Sequence, residues 1–157
     1  MNPRCAAAIL HGEMPQLTDH ARVLLVDDDP DHRFLLRRLL VRKVGVDERG
    51  ISSLDCGEGC VERVTELLRR GREVVLLLDL QMPRVDGWAV LDALSREPLG
   101  EHPGRLHTYV VSTSPNPDDR ERVSHYTFVR GFLEKLPRVE ALRRALRVSP
   151  QPQAAAA

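Results

Sequence analysis

One short stretch limits the fold more than any other. Val74-Val75-Leu76-Leu77-Leu78 is an unbroken apolar run that stops at Asp79. It is too short for a helix and has no polar alternate position to face water. Such a run suits a strand buried on both faces, as in a parallel sheet covered by helices. The carboxylate of Asp79 then sits where the most buried part of the chain reaches the surface.

The rest of the chain fits that frame. Val23-Leu24-Leu25-Val26 is a second apolar run, and it ends in Asp27-Asp28-Asp29. Asp29-Pro30 reads as an N-cap followed by proline at the first helical position. Leu35, Leu36, Leu39 and Leu40 then share one helical face, with Gly45 just past its end. Ile51–Leu54 is a weak strand, broken by two serines and tolerable at a sheet edge. Val61, Val64, Leu67 and Leu68 mark a second helix closed by Gly71. Pro83 and Asp86-Gly87 mark a turn before a helix through Leu94, and a Pro/Gly-rich loop leads to the strand Tyr109-Val110-Val111. Pro117 and Asp118 open a fourth helix, Val129–Leu133 is a fifth strand, and Val139, Leu142, Ala145 and Leu146 mark a fifth helix.

This alternation predicts an α/β fold: a five-stranded parallel sheet doubly wound by five helices. Residues 21–148 are read as that unit, 1–20 as a flexible extension and 149–157 as a disordered tail. In such folds function collects at the carboxyl ends of the strands.

Composition removes several function classes. Lys plus Arg and Asp plus Glu are each 23, so the formal net charge is zero. That balance gives no bulk footprint for nucleic acid or an anionic membrane. Arg37-Arg38 and Arg143-Arg144 lie in helical patterns and read as solvated faces. The early Ala-Ala-Ala-Ile-Leu run is too short for a signal-peptide core, and no stretch approaches a bilayer-spanning length. The expectation is a soluble, cytoplasmic protein. Cys5, Cys56 and Cys60 are too few and too odd in number for a disulfide framework. Cys56 and Cys60 read as reduced thiols, and two cysteines alone make a poor zinc site.

The strand ends carry the chemistry. The first ends in Asp27-Asp28-Asp29, the third in Asp79 and the fourth in Ser112-Thr113, while Glu134-Lys135 follows the fifth. Clustered carboxylates repel unless a cation neutralises them, and magnesium prefers oxygen ligands. An aspartate can attack phosphorus and hold it as an acyl phosphate. A lysine and a hydroxyl can bind phosphoryl oxygens. Taken singly, the aspartates could be a cap and a solvated loop, and Lys135 a surface lysine. Together, at four strand ends, they point to phosphoryl transfer.

Four blocks carry a family resemblance: Val23-Leu-Leu-Val-Asp-Asp-Asp-Pro30, Leu77-Leu-Asp-Leu-Gln-Met-Pro-Arg-Val-Asp-Gly87, Val111-Ser-Thr-Ser114 and Gly131-Phe-Leu-Glu-Lys135. They resemble the signature blocks of bacterial two-component response-regulator receiver domains, over roughly Ala21 to Val148. The Ser-Thr-Ser-Pro-Asn-Pro-Asp-Asp stretch is similar to single-domain regulators found with phytochrome-type sensor kinases.

The resemblance implies a flavodoxin-like sheet of order 2-1-3-4-5 and a set of roles. Asp79 is the phosphoacceptor. Asp28, Asp79 and the backbone carbonyl of Gln81 hold Mg2+ directly, and Asp27 helps hold it through water. Lys135 contacts the phosphoryl group, Ser112 is the switch hydroxyl and Phe132 the switch aromatic. The implied partner is a sensor histidine kinase or a phosphotransfer protein. A homodimer through the fourth helix, fifth strand and fifth helix is one implied output. The implied protein is a signalling domain rather than an enzyme, although it removes its own phosphoryl group. Two departures stand out. Leu136 separates Lys135 from Pro137, where the family usually has proline directly after the lysine; a cis bond at Leu136 would be costly. Phe128-Val129 replaces a small step before the fifth strand, so packing there should be bulkier. Two other readings compete: a receiver-like scaffold that is not phosphorylated, and a magnesium-dependent phosphatase using the Asp27-x-Asp29 pair.

Overall fold

The computed structural model describes residues 21–99, 104–113 and 116–146. The expected terminal segments, 1–20 and 149–157, lie outside the described residues. The elements run β1 (Arg22–Val26), α1 (Pro30–Leu39), β2 (Ile51–Leu54), α2 (Cys60–Arg69), β3 (Val74–Asp79), α3 (Gly87–Arg96), β4 (Leu106–Ser112), α4 (Pro117–Ser124), β5 (Val129–Glu134) and α5 (Val139–Ala145). The strands form one parallel sheet in the order β2-β1-β3-β4-β5. The fold class and strand order are as the sequence implied.

Each face of the sheet has its own core, as strand alternation requires. Leu24, Val26, Leu76, Leu78 and Val110 pack on one face with Val64 and Leu68 of α2, Leu91 and Leu94 of α3 and Val123 of α4. Val23, Leu25, Val75 and Leu77 pack on the other with Leu36 of α1 and Leu142 of α5. All six residues of β3 are buried. Each buried leucine contributes roughly 1.5–3 kcal/mol relative to exposure.

The helix ends are set locally. Asp29 caps α1 by accepting from the amides of Asp31 and His32, with Pro30 at the first position. A π-helical turn, Leu40–Val44, extends α1 and closes at Gly45 in the left-handed region. The buried stripe of α1 differs from the sequence reading. Leu35 is 42% exposed, whereas His32, Leu36, Leu40 and Val44 point inward at four-residue steps.

β2, with its two serines, lies at the sheet edge. The bulk before β5 is accommodated: Phe128 packs 5.9 Å from Tyr126, ring to ring, and the β4–β5 register shifts between Thr108 and Tyr109. Cys56 and Cys60 are buried free thiols, and burial pushes the Cys60 thiol up to about 12. No helix among the described residues is long and apolar enough to cross a membrane.

Candidate functional site

β1 lies between β2 and β3, so chain direction across the sheet reverses there. The carboxyl ends of β1 and β3 meet at that switch point, where open α/β sheets place ligands. Val26 pairs with Leu78, which sets Asp27 beside Asp79. One carboxylate oxygen each from Asp27, Asp28 and Asp79 falls within a group spanning at most 4.8 Å. Asp27 and Asp79 are each 4% exposed, while Asp28 is exposed.

Buried acids this close need partners. Asp79 Oδ1 accepts the Gln81 amide at 3.0 Å, and its Oδ2 accepts from Lys135 Nζ at 2.8 Å. The same ammonium lies 3.5 Å from Asp27 Oδ2. Asp27 Oδ1 accepts the Asp29 amide at 2.8 Å, and Oδ2 lies 2.5 Å from His32 Nδ1. Burial alone would raise the Asp27 carboxyl; the His32 and Asp29 hydrogen bonds and the Lys135 charge outweigh it, holding the group below its ordinary value. Burial would lower Lys135, but the hydrogen bond and charge of Asp79, with the charge of Asp27, hold it above its ordinary value.

The other expected residues arrive nearby. Ser112 closes β4, and its carbonyl accepts the Lys135 amide at 3.1 Å, joining the hydroxyl-bearing and lysine-bearing strand ends. The Ser112 hydroxyl makes no hydrogen bond to Asp79 among the described residues. Phe132 is half-buried against the α2–α4 side of the core, with the Arg120 guanidinium 5.1 Å from its ring centroid. Gly87 lets α3 start directly against β3: a Cβ there would meet Asp79 O at 2.3 Å and Leu80 Cα at 2.7 Å. After Lys135 the chain does not use a cis bond. Leu136 instead takes a left-handed φ of 62° and is 53% exposed.

Sequence reasoning missed His32. Its signal was present: it begins the four-residue stripe that continues through Leu36 and Leu40, one turn beyond the leucines. A polar residue on a buried stripe, five residues after an acid, was the clue.

The donor set fits a hard divalent cation. Three carboxylates converge, all oxygen donors, and the exposed Asp28 keeps its oxygens open to solvent.

The chain matches the response regulator receiver domain model over residues 23–147. It is 31% identical over 137 residues to a probable methanogenesis regulatory protein, FilR2, of Methanothrix harundinacea, covering 86% of this chain and 84% of that protein. Among solved structures, a two-component response regulator from Cytophaga hutchinsonii superposes with a TM-score of 0.71 at 22% identity, covering 85% of this chain and 96% of that one. The receiver domain of the Arabidopsis thaliana histidine kinase CKI1, complexed with Mg2+, gives a TM-score of 0.65 at 24% identity, covering 81% and 90%. The family match spans most of the chain, and the strand order and acidic site accord with it: this chain belongs to the response regulator receiver domain family.

Proposed function

We propose that the domain accepts a phosphoryl group on Asp79 from a histidine kinase or phosphotransfer protein and signals through a changed surface. The observation that supports this best is the pairing of a buried acid with one lysine. Asp79 ends the most buried strand and lies 2.8 Å from Lys135, with two further acids beside it.

The chain's own residues have separable tasks. A carboxylate oxygen of Asp79 attacks phosphorus, an acyl phosphate bond forms, and the P–N bond to the donor imidazole breaks, leaving its electron pair on nitrogen. Lys135 then exchanges Asp79 Oδ2 for a phosphoryl oxygen, keeping its charge against the group that gained negative charge. Asp28, Asp79 and the carbonyl of Gln81, with Asp27 acting through water, would hold Mg2+. When bound, the ion neutralises charge on the acids and the incoming phosphoryl oxygens. Ser112 turns its hydroxyl to the phosphoryl group, and Phe132 moves into the space it leaves. The α4–β5–α5 face changes as a result, for a partner or a second copy to read. This is a local charge event biasing a two-state element. A phytochrome-type kinase is the donor class suggested by the Ser-Thr-Ser-Pro-Asn-Pro-Asp-Asp stretch from Ser112 to Asp119, and self-dephosphorylation would reset the domain.

The phosphatase reading would make Asp27 the nucleophile, but the shorter lysine contact is made to Asp79, 2.8 Å against 3.5 Å. The scaffold reading gains nothing from Leu136, because the lysine before it still reaches Asp79.

Beryllofluoride with Mg2+ tests the proposal, since it mimics an acyl phosphate on a competent aspartate. Spectra of the wild type should change saturably, including Trp88 fluorescence from the first turn of α3, and Asp79→Asn should not respond. A silent wild type at millimolar Mg2+ would leave the scaffold reading standing.

A further inference from the structure

His32 is a second link, beside the Lys135 ammonium, between the acid after β1 and the loop after β5. The imidazole is 6% exposed, and both ring nitrogens have partners. Nδ1 lies 2.5 Å from Asp27 Oδ2 at the end of β1. Nε2 lies 3.4 Å from the backbone nitrogen of Leu136, in the loop after β5. A carboxylate only accepts, so Nδ1 carries the hydrogen; an amide only donates, so Nε2 offers its lone pair. The ring therefore has a direction, from the acid to the loop.

The loop end of this bridge is unusual. Leu136 is not glycine, yet its φ is 62°. Such residues are uncommon in the left-handed region and persist where their surroundings hold them. Asp27 holds two successive residues of this loop, Lys135 by its ammonium and Leu136 through the imidazole. The side chain so held is among the few large apolar ones exposed in the described residues.

We propose that His32 is a positioning residue that carries the state of the acidic site to Leu136, fixing where that exposed side chain stands beside Lys135. This rests on the acidic site being the phosphoryl-accepting, Mg2+-holding site argued above. Any shift of Asp27 Oδ2 obliges the ring to follow or to give up a bond. Where the ring follows, the Leu136 amide changes acceptor geometry, and the left-handed turn loses or moves the contact that holds it.

The test is amide NMR on the full chain, following Asp28, Gln81 and Leu136. An asparagine side-chain nitrogen reaches the place of Nδ1, so His32→Asn keeps a donor for Asp27 and removes the acceptor for Leu136. His32→Gln does the opposite, and serves also if the first variant folds poorly. Without metal, Asp27→Asn should shift the Leu136 amide in the wild-type background, and that shift should be lost in either His32 background. With Mg2+, the amides of Asp28, Gln81 and Leu136 should all titrate in the wild type. In His32→Asn the Leu136 response should be lost, while Asp28 and Gln81 still respond at whatever concentration they then need. A Leu136 response undiminished in His32→Asn overturns the proposal. So does a wild-type Leu136 amide that stays still while Asp28 and Gln81 move. If no amide responds to Mg2+, the metal reading of the site fails. The metal-free comparison then decides the coupling alone, and persistence of the Asp27→Asn shift in both His32 backgrounds overturns it.

Discussion

Lys135 Nζ lies 2.8 Å from Asp79 Oδ2, so the lysine after β5 is the counter-charge of the acid ending β3. It also reaches Asp27 at 3.5 Å. One ammonium therefore offsets two buried carboxylates. Lys135→Met should destabilise the metal-free protein by about 1–3 kcal/mol, the cost of leaving a buried polar partner unmatched. Asp79→Asn added to it should recover part of the loss. Urea unfolding in the presence of a chelator measures both, and a Lys135→Met protein as stable as the wild type would contradict this pairing.

Stability should also depend on pH through these groups. The folded Asp27 carboxyl lies below its ordinary 3.8. Its contribution is therefore complete above that value and is lost as pH falls through the lower folded value. Lys135 is raised above 10.5, so its contribution is complete below that pH and fades as pH rises through the higher folded value. Metal-free unfolding between pH 2 and 5 should be shallower in pH for Asp27→Asn than for the wild type, by about one proton's worth of slope at most.

Gly87 is constrained by approach rather than by turn geometry. The atoms a Cβ would meet, Asp79 O and Leu80 Cα, belong to the backbone and cannot rotate away. Gly87→Ala should cost about 1–3 kcal/mol as overpacking, and should displace the acceptor strand end. Thermal unfolding gives the first effect, and a weaker Mg2+ response of the Gln81 amide gives the second.

α4 is the helix least held by apolar burial. Val123 is its buried residue, and further anchors are Arg122, 4.0 Å over the Trp88 ring and 3.7 Å from Asp92, and Arg120, 5.1 Å from the Phe132 centroid. Its amides should exchange faster than those of α1 or α3. Arg122→Ala should remove about 0.5–2 kcal/mol of cation–π attraction and alter Trp88 fluorescence. Hydrogen exchange that is slower in α4 than in α3 would contradict this.

Much of this was legible because it depends on local rules. The apolar run before Asp79 marked the central strand, Asp29-Pro30 marked the start of α1, and the serines of β2 marked an edge. Asp27, Asp28, Asp79 and Lys135 could be gathered because parallel strands bring their carboxyl ends to one side of a sheet. His32 and Leu136 were not legible, since their meeting depends on the distance between a helix turn and a loop over a hundred residues away in sequence. The exposure of Leu35 was missed for a related reason. The buried arc of α1 centres on His32, Leu36 and Leu40, which turns Leu35 outward, and the pattern alone did not say where that arc is centred. Arg120 over Phe132 likewise depends on how α4 lies across β5.

The central claim is that Asp79 takes the phosphoryl group. Incubation with acetyl phosphate and Mg2+, followed by intact-mass measurement and peptide mapping, tests it most directly. One phosphoryl group is expected on the wild type, mapped to the peptide holding Asp79, and none on Asp79→Asn. Equal labelling of the two proteins, or a label that stays with Asp27 when Asp79 is removed, would contradict it.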